Sequence, residues 1–532
     1  MLKRFIIAPI CILVLLISGS DNASSYQLLS FANTLNNSQS HPLLYKSARL
    51  GNQEAANTLL VLAETDKDKY WLTQIALLPF TQYLLDIEEN AQTTSDVKTE
   101  HLISHGAFKT IKSQAAYALA VHSNNERDKT RWFSFASNLN HPQSQFELSL
   151  LLNNRQERLR LLKNSAREGY VPAVITLAKY YHQHAASVPA ADQDLDVLVN
   201  IREENRTLAL YWLEKSSQYD GASAFDLGLL YWQIGQVEEA KSSFIRAAML
   251  GVDKAQDYLE VLSNQAQSKL TDIFAANDAP MRQLRKTWCS QQLQVVASSL
   301  ETVVRANQIK RQFEQDERFE GLSICMNPVV WLPKNVLACK NQAINARINC
   351  DLKAFAEVLR PPNFTHLVVI TDAGKAYVQR GVMYLDRADE YSVFVHELAH
   401  FAGFVDEYAL SKQMASLHCG SPTAPNLMVE SEGGELNNVK MLKWQDASTE
   451  ALSIAPSKTC QRYDKAAYKP STGITFLEHH DTENIPKLYL SLWQQQLGKE
   501  SERIEAANEL LHVARNANHA EAITHWQYVL SY

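Results

Sequence analysis

The sequence predicts a multidomain protein, in which an all-α helical-repeat solenoid precedes an α+β domain and a helical C-terminal tail. Three observations predict this organisation. A glycine and alanine pattern recurs between about residues 40 and 270, and the six cysteines beyond the first 22 residues all fall between positions 289 and 460. Beyond residue 484, apolar residues recur three or four positions apart. A length of 532 residues exceeds what one core normally serves.

The first 22 residues have the order of a secretory signal peptide. Lys3 and Arg4 precede an apolar run at positions 5–17, and the small residues Ser-Gly-Ser follow at 18–20. A membrane-spanning helix needs about twenty apolar residues, so this run is too short, and no later segment is long and apolar enough to cross a bilayer. We therefore expect cleavage and export to the periplasm or secretion, with no stable membrane span after cleavage.

The repeats are predicted at residues 40–270. Segments 45–55, 163–173 and 245–255 each place glycine six residues, and alanine ten residues, after their start. Looser copies occupy 134–144 and 214–224. Small residues let paired helices approach closely, and glycine separates one helix from the next, so the spacing predicts stacked helix pairs. Four aromatic residues either belong to the core, which their helical spacing favours, or line a partner-binding face: Trp212, Tyr231, Trp232 and Phe244.

A possible metal-binding sequence lies at residues 396–406, which read HExxHxxGxxD. On a helix, His396 and His400 project from one face and can bind one ion. Gly403 can adopt positive φ and end the helix, which brings Asp406 back as a third ligand. Two histidines, one carboxylate and a position left for water form a catalytic Zn²⁺ site. Glu407 is the alternative third ligand, although its spacing fits less well.

The residues around this motif predict an α+β setting and assign two further roles. Segment 364–371 reads as a buried strand, and segment 376–385 as a second one. Glu397 is the expected general base, because it lies beside the two histidines and can take a proton from water. Tyr408 either donates a hydrogen bond to a developing oxyanion or packs.

The motif resembles that of the metzincins, HExxHxxGxxH, with aspartate in the last place. The residues Asp406, Glu407 and Tyr408 are similar to the ending found in a family of bacterial zinc peptidases named after an IgA-cleaving member. The resemblance covers about residues 355–435. It implies a metzincin-like fold and a protein of the bacterial envelope. It also implies a methionine turn beneath the metal, for which Met428 in segment 425–429 is the candidate. Residues 227–235 resemble Sel-one-like repeats, a TPR-type family that binds proteins.

The cysteine pattern agrees with export. Six cysteines in one module of an exported chain predict up to three disulfides, with fifteen possible connectivities. None of them forms a CxxC pair, which disfavours a cysteine zinc site. The six are Cys289, Cys325, Cys339, Cys350, Cys419 and Cys460. Cys419 and Cys460 flank the proposed methionine turn, so a disulfide from either of them would brace it.

These observations predict a signal peptide at 1–22, helical repeats at 40–270, a zinc metallopeptidase domain at 287–475 and a helical segment at 484–532. The expected activity is that of a metalloendopeptidase on a protein or peptide substrate, with the repeats docking a protein partner or the substrate. The alternatives are a non-catalytic periplasmic interaction scaffold and a hydrolase of a non-peptide amide. The net charge of −7 disfavours nucleic-acid binding. Other acidic and histidine residues are expected to be ordinary side chains: His366, His418, Glu430, Glu432 and His479.

Overall fold

The structure, a computed structural model, describes most of the chain. The described residues are 21–35, 37–79, 95–186, 195–274, 289–339, 346–431, 435–499 and 504–531. Residues 1–20 of the predicted signal peptide lie outside them. The chain divides into two compact units, Met1–Val252 and Asp253–Tyr532.

The first unit consists of helices in its described part. In chain order, helices α1 to α12 are Asp21–Ala32, Asn37–Arg49, Gln53–Thr65, Lys69–Ala76, Ser95–Val121, Glu126–Asn138, Pro142–Leu151, Arg155–Arg167, Val171–Ala186, Leu195–Ser216, Gly221–Gln233 and Val237–Met249. Consecutive helices pack on each other, most extensively α9 on α10 and α11 on α12. Their buried faces form successive apolar clusters along the unit.

The glycine and alanine pattern corresponds to the joints between these helices. Its glycines have positive φ between consecutive helices, and they are Gly51, Gly169 and Gly251. The alanines four residues later are fully buried, and they are Ala55, Ala173 and Ala255. In the looser copy at 134–144, Asn140 takes the positive φ instead, since asparagine tolerates this conformation better than most residues. The predicted helical repeats are therefore confirmed.

The four aromatic residues of the repeats are not equally buried. Trp212 and Phe244 belong to the core, and the ring of Phe244 lies so close to Gly228 that a side chain there would collide with it. Tyr231 and Trp232 are half-buried. The Tyr231 hydroxyl donates a hydrogen bond of 2.5 Å to Glu214. Burial, and to a lesser extent this hydrogen bond, raise the pKa of Tyr231 to about 12.

The second unit is mixed α/β. Its helices α13 to α21 are Lys254–Asn264, Leu300–Gln315, Lys353–Ala356, Tyr391–Phe401, Lys412–Gly420, Asn438–Ala447, Lys487–Leu497, Ala507–Asn516 and Ala520–Leu530. Its strands β1 to β11 are Gln291–Ala297, Ile324–Met326, Val330–Trp331, Ala338–Cys339, Cys350–Asp351, His366–Thr371, Tyr377–Gln379, Val382–Asp386, Met428–Val429, Ala455–Ser457 and Ala467–Lys469.

One main sheet organises this unit, with strand order β2-β1-β6-β8-β7 and β3 also paired to β1. Strands β2, β3 and β6 run parallel to β1, and β8 runs parallel to β6. The edge strand β7 is antiparallel to β8. Strand β6 is buried at every position, which confirms the strand predicted at 364–371 and fits a strand covered on both faces.

The single strand predicted at 376–385 is instead a hairpin. Strands β7 and β8 pair Gln379 with Val382, so that Arg380 and Gly381 form a two-residue turn in which both have positive φ. Such turns match the twist of the flanking strands and favour glycine at the second position. Apolar residues lie on both sides of Gln379, Arg380 and Gly381, so the whole segment reads as one strand, and Arg380 carries no signal for positive φ.

The C-terminal tail packs against the main sheet within the second unit. Helices α20 and α21 bury apolar residues in one cluster with the sheet residues Leu367 and Val369. The backbone N–H of Ala506 donates to the Thr365 carbonyl at 2.8 Å, and Arg380 forms an ion pair of 3.0 Å with the buried Glu509. The helical segment predicted at 484–532 therefore packs on the α+β domain.

All six cysteines that were predicted to form disulfides do so. The pairs are Cys289–Cys325, Cys339–Cys350 and Cys419–Cys460, and all three lie in the second unit. Within the described part of the chain, the helices are too short or too polar to cross a membrane.

Candidate metal centre

Helix α16 (Tyr391–Phe401) carries the two histidines of the motif on a buried scaffold. It follows β8 directly, and its apolar residues Phe394, Val395 and Leu398 are buried. The helix ends where predicted, since Gly403 has a φ of +79° and its N–H donates to the His400 carbonyl at 3.0 Å. The chain then turns back, as the motif predicted.

Three side-chain atoms of this motif converge. The Nε2 atom of His396 lies 2.9 Å from Oδ1 of Asp406, and the Nε2 atom of His400 lies 3.3 Å from the same oxygen. Ligands of one tetrahedral zinc ion, with bonds of 2.0–2.1 Å, lie about 3.3 Å apart. His396, His400 and Glu397 also each offer an atom within 4.8 Å of the others, a cluster that could hold a metal ion.

Backbone carbonyls orient both imidazoles. Nδ1 of His396 lies 2.8 Å from the Phe476 carbonyl, and Nδ1 of His400 lies 2.8 Å from the Phe404 carbonyl. A carbonyl only accepts, so each Nδ1 must carry the hydrogen and each neutral ring presents a lone pair at Nε2. Metal-binding histidines usually donate their other nitrogen in this way.

The lone pairs of the two imidazoles and the Asp406 carboxylate oxygen therefore point toward one another. These groups repel each other unless a positive charge lies between them. Oδ1 of Asp406 is buried and has no hydrogen-bond donor among the described residues when both rings are neutral. A proton can partly fill this role. Burial lowers the pKa of His400, but the Asp406 carboxylate outweighs burial and raises it to about 9. Burial likewise disfavours the charged form of Asp406, yet the two imidazoles hold its pKa well below the usual range. The residues fit a divalent cation.

Glu397 lies beside the two imidazoles and is almost fully buried. Burial raises the pKa of its carboxyl group above the ordinary value, although the charges of His400 and His396 oppose the rise. A carboxylate with a raised pKa is a stronger proton acceptor than an exposed one. Its position and environment suit a general base.

Tyr408 is 42 % exposed, so its ring is not part of the core. Burial raises the pKa of Tyr408, and the negative charge of the nearby Asp406 raises it further. The hydroxyl is therefore protonated at neutral pH and lies beside a candidate ligand. A role in stabilising an oxyanion stays a prediction.

Glu407, the alternative third ligand, is directed to other partners. It is 1 % exposed, and its carboxylate accepts hydrogen bonds of 2.5 Å from the hydroxyls of Thr475 and Tyr489. Lys469 lies 3.2 Å from it. The two neighbouring carboxylates thus have different surroundings, and it is Asp406 that meets the two histidines.

The segment around Met428 is fixed by buried contacts. Met428 is buried and begins β9, just after a turn in which the Leu427 N–H donates to the Ala424 carbonyl at 3.3 Å. The disulfide Cys419–Cys460 is fully buried in the cluster that also contains Leu427. This disulfide joins the two cysteines that flank the turn. The position of Met428 beneath a metal stays a prediction.

The remaining candidates occupy different surroundings. His418 is half-buried and close enough to His400 for its charge to lower the pKa of His418, in addition to the larger effect of burial. His366 is a core residue, since its ring lies 4.3 Å from that of Phe401. Glu430 accepts a hydrogen bond of 3.3 Å from the Tyr468 hydroxyl, and His479 lies 3.6 Å from Asp481 at the surface. Glu432 lies outside the described residues.

A cavity of about 480 Å³ borders the candidate metal centre. Its lining includes His400 and Gly403 from the end of the motif, Val378 from the edge strand, and Pro425 and Leu497. Ligand sites are typically concave, mostly apolar and of comparable size. The cavity leaves space for a small molecule or a side chain next to His400.

The residues that orient the site could not be found from the sequence. Phe404 and Phe476 act through backbone carbonyls, which any residue carries, and Phe476 lies 80 residues from His396. Asn426 and Thr475 belong to ordinary residue types in loops. Only the fold brings them to the helix.

Protein-family models and curated proteins were compared with the chain, and neither comparison found a match.

Proposed function

We propose that this protein is an exported zinc-dependent metallopeptidase that hydrolyses peptide bonds. In this proposal His396, His400 and Asp406 hold one zinc ion and Glu397 is the general base. The observation that carries it is the convergence of two Nε2 atoms on a buried carboxylate oxygen, at 2.9 and 3.3 Å, while both Nδ1 atoms are held by carbonyls.

The donor set supports zinc, and Glu397 supports hydrolysis. Two imidazoles and one carboxylate suit a catalytic zinc ion, but the same set also occurs in iron oxygenases. A buried glutamate with a raised pKa beside the two histidines favours hydrolysis, since an oxygenase has no need of such a base. Bound zinc supplies Lewis acidity that polarises a carbonyl and makes water acidic enough to attack near neutral pH.

Glu397 accounts for the proton transfers of this reaction. Its carboxylate accepts a proton from the attacking water and then delivers that proton to the leaving amine nitrogen. The raised pKa keeps the proton on Glu397 between these two steps. Tyr408 can donate a hydrogen bond to the carbonyl oxygen as negative charge develops there.

The surroundings of the site support a peptide substrate and export. The cavity beside His400 has room for a substrate side chain, and the edge strand β7 provides Val378 to its wall. Three disulfides are typical of a chain that folds in an oxidising compartment such as the periplasm. The helical repeats dock the protein substrate or a protein partner, as stacked helix pairs do in other repeat proteins.

The test is zinc content and proteolysis of the full chain, compared with Glu397→Gln. The substitution keeps the shape of the side chain but removes the base. We expect about one zinc per chain in both proteins and a loss of cleavage of an unfolded protein by about 10²- to 10⁴-fold in the variant. Glu450 is exposed, so Glu450→Gln is the matched control and should keep full activity. Equal turnover by Glu397→Gln would remove Glu397 from the mechanism.

A further inference from the structure

Glu407 has an unusually complete set of partners for a buried glutamate. Its Oε1 atom accepts from Asn426 Nδ2 at 3.0 Å and from the Tyr489 hydroxyl at 2.5 Å. Its Oε2 atom accepts from the Thr475 hydroxyl at 2.5 Å and lies 3.2 Å from Lys469 Nζ. A buried charge is stable only when its hydrogen bonds and counter-ion are in place, and here both conditions are met.

The first partner, Asn426, fixes the backbone that leads into Asp406. Its side-chain oxygen accepts from the Val405 N–H at 3.0 Å, and its Nδ2 donates to the Val405 carbonyl at 2.8 Å as well as to Glu407. Asn426 is fully buried. One amide thus ties together the residues on both sides of Asp406, and Glu407 holds that amide in place.

Asp406 is also held through its own carbonyl. The hydroxyl of Thr459 donates to that oxygen at 2.7 Å, and the N–H of Lys458 donates to the Glu407 carbonyl at 3.2 Å. The backbone from 405 to 407 is therefore bonded at every residue, and the direction of the Asp406 carboxylate follows from it.

The Thr475 contact connects Glu407 to His396. Thr475 precedes Phe476, whose carbonyl accepts the Nδ1 hydrogen of His396 at 2.8 Å. On the other side of Phe476, the Leu477 carbonyl accepts from the Glu407 N–H at 3.0 Å. Glu407 thus binds both neighbours of the residue that orients His396, one through its side chain and one through its backbone.

The charge of Glu407 is balanced by Lys469, which is 4 % exposed. Lys469 Nζ also lies 2.6 Å from Oε2 of Glu478, whose side chain is 20 % exposed. Removal of the Glu407 charge would leave Lys469 with one counter-ion, and this one is partly in solvent. A charge effect and an orientation effect of Glu407 can therefore be separated by substitutions at Lys469 and Glu478.

We propose that Glu407 is a positioning residue of the metal centre, which sets the directions of Asp406 and His396 through Asn426 and Thr475. This inference rests on the proposed function, because it assumes that these side chains bind a metal ion. Residues that orient metal ligands from behind typically change metal affinity by 10- to 100-fold. The two adjacent carboxylates then have different roles. Asp406 binds the ion, and Glu407 fixes the backbone that carries Asp406.

The test compares the full wild-type chain with Glu407→Gln in two measurements. The first is zinc affinity, measured by competition with a chelator, and the second is the visible absorption of the Co²⁺-substituted protein. Glutamine offers one acceptor oxygen, so two of the four donors lose their acceptor. We expect zinc affinity to fall 10- to 100-fold and the cobalt bands to change in position or intensity. Glu478→Gln is the matched control, because it also removes a carboxylate from Lys469, and the ion-pair partners of this side chain are Lys458 and Lys469 and not the metal ligands. Its zinc affinity should stay within about threefold of wild type.

Two further variants keep the inference open to refutation. Glu407→Gln/Lys469→Met also removes the buried lysine that has lost one of its two counter-ions, and it is expected to recover thermal stability but not zinc affinity. Thr475→Val, which leaves all charges in place, should weaken zinc binding in the same direction, and it replaces Glu407→Gln if that variant does not fold. Wild-type affinity in Thr475→Val, in folded Glu407→Gln or in the double variant would overturn the positioning role. A wild-type chain that binds no zinc would instead refute the proposed metal site itself.

Discussion

The docking of the C-terminal tail on the second unit leads to a quantitative prediction at Trp526. This residue is fully buried, and its indole N–H donates to the Ala356 carbonyl at 2.8 Å. Replacement of a buried tryptophan by alanine costs about 3–5 kcal/mol. Trp526→Phe keeps most of the ring but leaves the Ala356 carbonyl without this donor, which costs about 1–3 kcal/mol. The neighbouring Gln527 is exposed, and Gln527→Ala should change stability by less than about 0.5 kcal/mol.

The assay is urea-induced unfolding of the full chain. The three disulfides lie in the second unit, so its transition is the one that shifts on addition of a reductant. We expect the midpoint of that transition to decrease in the order Gln527→Ala, Trp526→Phe, Trp526→Ala. If Trp526→Ala unfolds like Gln527→Ala, the tail is not part of the core of the second unit and the account of its docking is wrong.

Two further predictions concern a disulfide and a buried histidine. Cys419–Cys460 spans 41 residues, and closing a loop of that length stabilises the fold by about 4 kcal/mol. We therefore expect the double variant Cys419→Ser/Cys460→Ser to unfold at a lower urea concentration and to release zinc faster. Unchanged zinc release would contradict a bracing role of this disulfide. His141 is buried, and burial lowers its pKa to about 4 from an ordinary 6.5. The unfolded chain therefore gains a proton below pH 6.5 that the folded chain does not, and stability falls from pH 6.5 to 4. His141→Asn, which retains a side chain able to cap the helix, should lack this part of the pH dependence.

Local signals predicted the repeats and the metal motif. The glycine and alanine spacing marks helix joints, because positive φ and close packing restrict residue choice at those positions. Asn140 takes the place of one glycine, so the pattern reflects a backbone conformation and not one residue type. The histidine spacing of the motif likewise follows from helical geometry alone.

Other features depend on contacts between distant segments. The hairpin turn at Arg380 and Gly381 lies between two short apolar stretches that together read as one strand. Glu407 and Asp406 are adjacent carboxylates, and their roles differ because Lys469, Thr475 and Tyr489 surround only the first. No local pattern announces such partners, since they come from segments between 60 and 85 residues away.

The most direct test of the metal centre is a zinc titration of the full chain and of Asp406→Ala. We expect one zinc per wild-type chain and an affinity loss in the variant greater than about a hundredfold, since groups behind the ligands alone contribute 10- to 100-fold. Asp446→Ala, an exposed aspartate on α18, is the matched control and should bind zinc like the wild type. A wild-type chain without zinc would contradict the proposed metal centre, and an Asp406→Ala variant with wild-type affinity would contradict Asp406 as its third ligand.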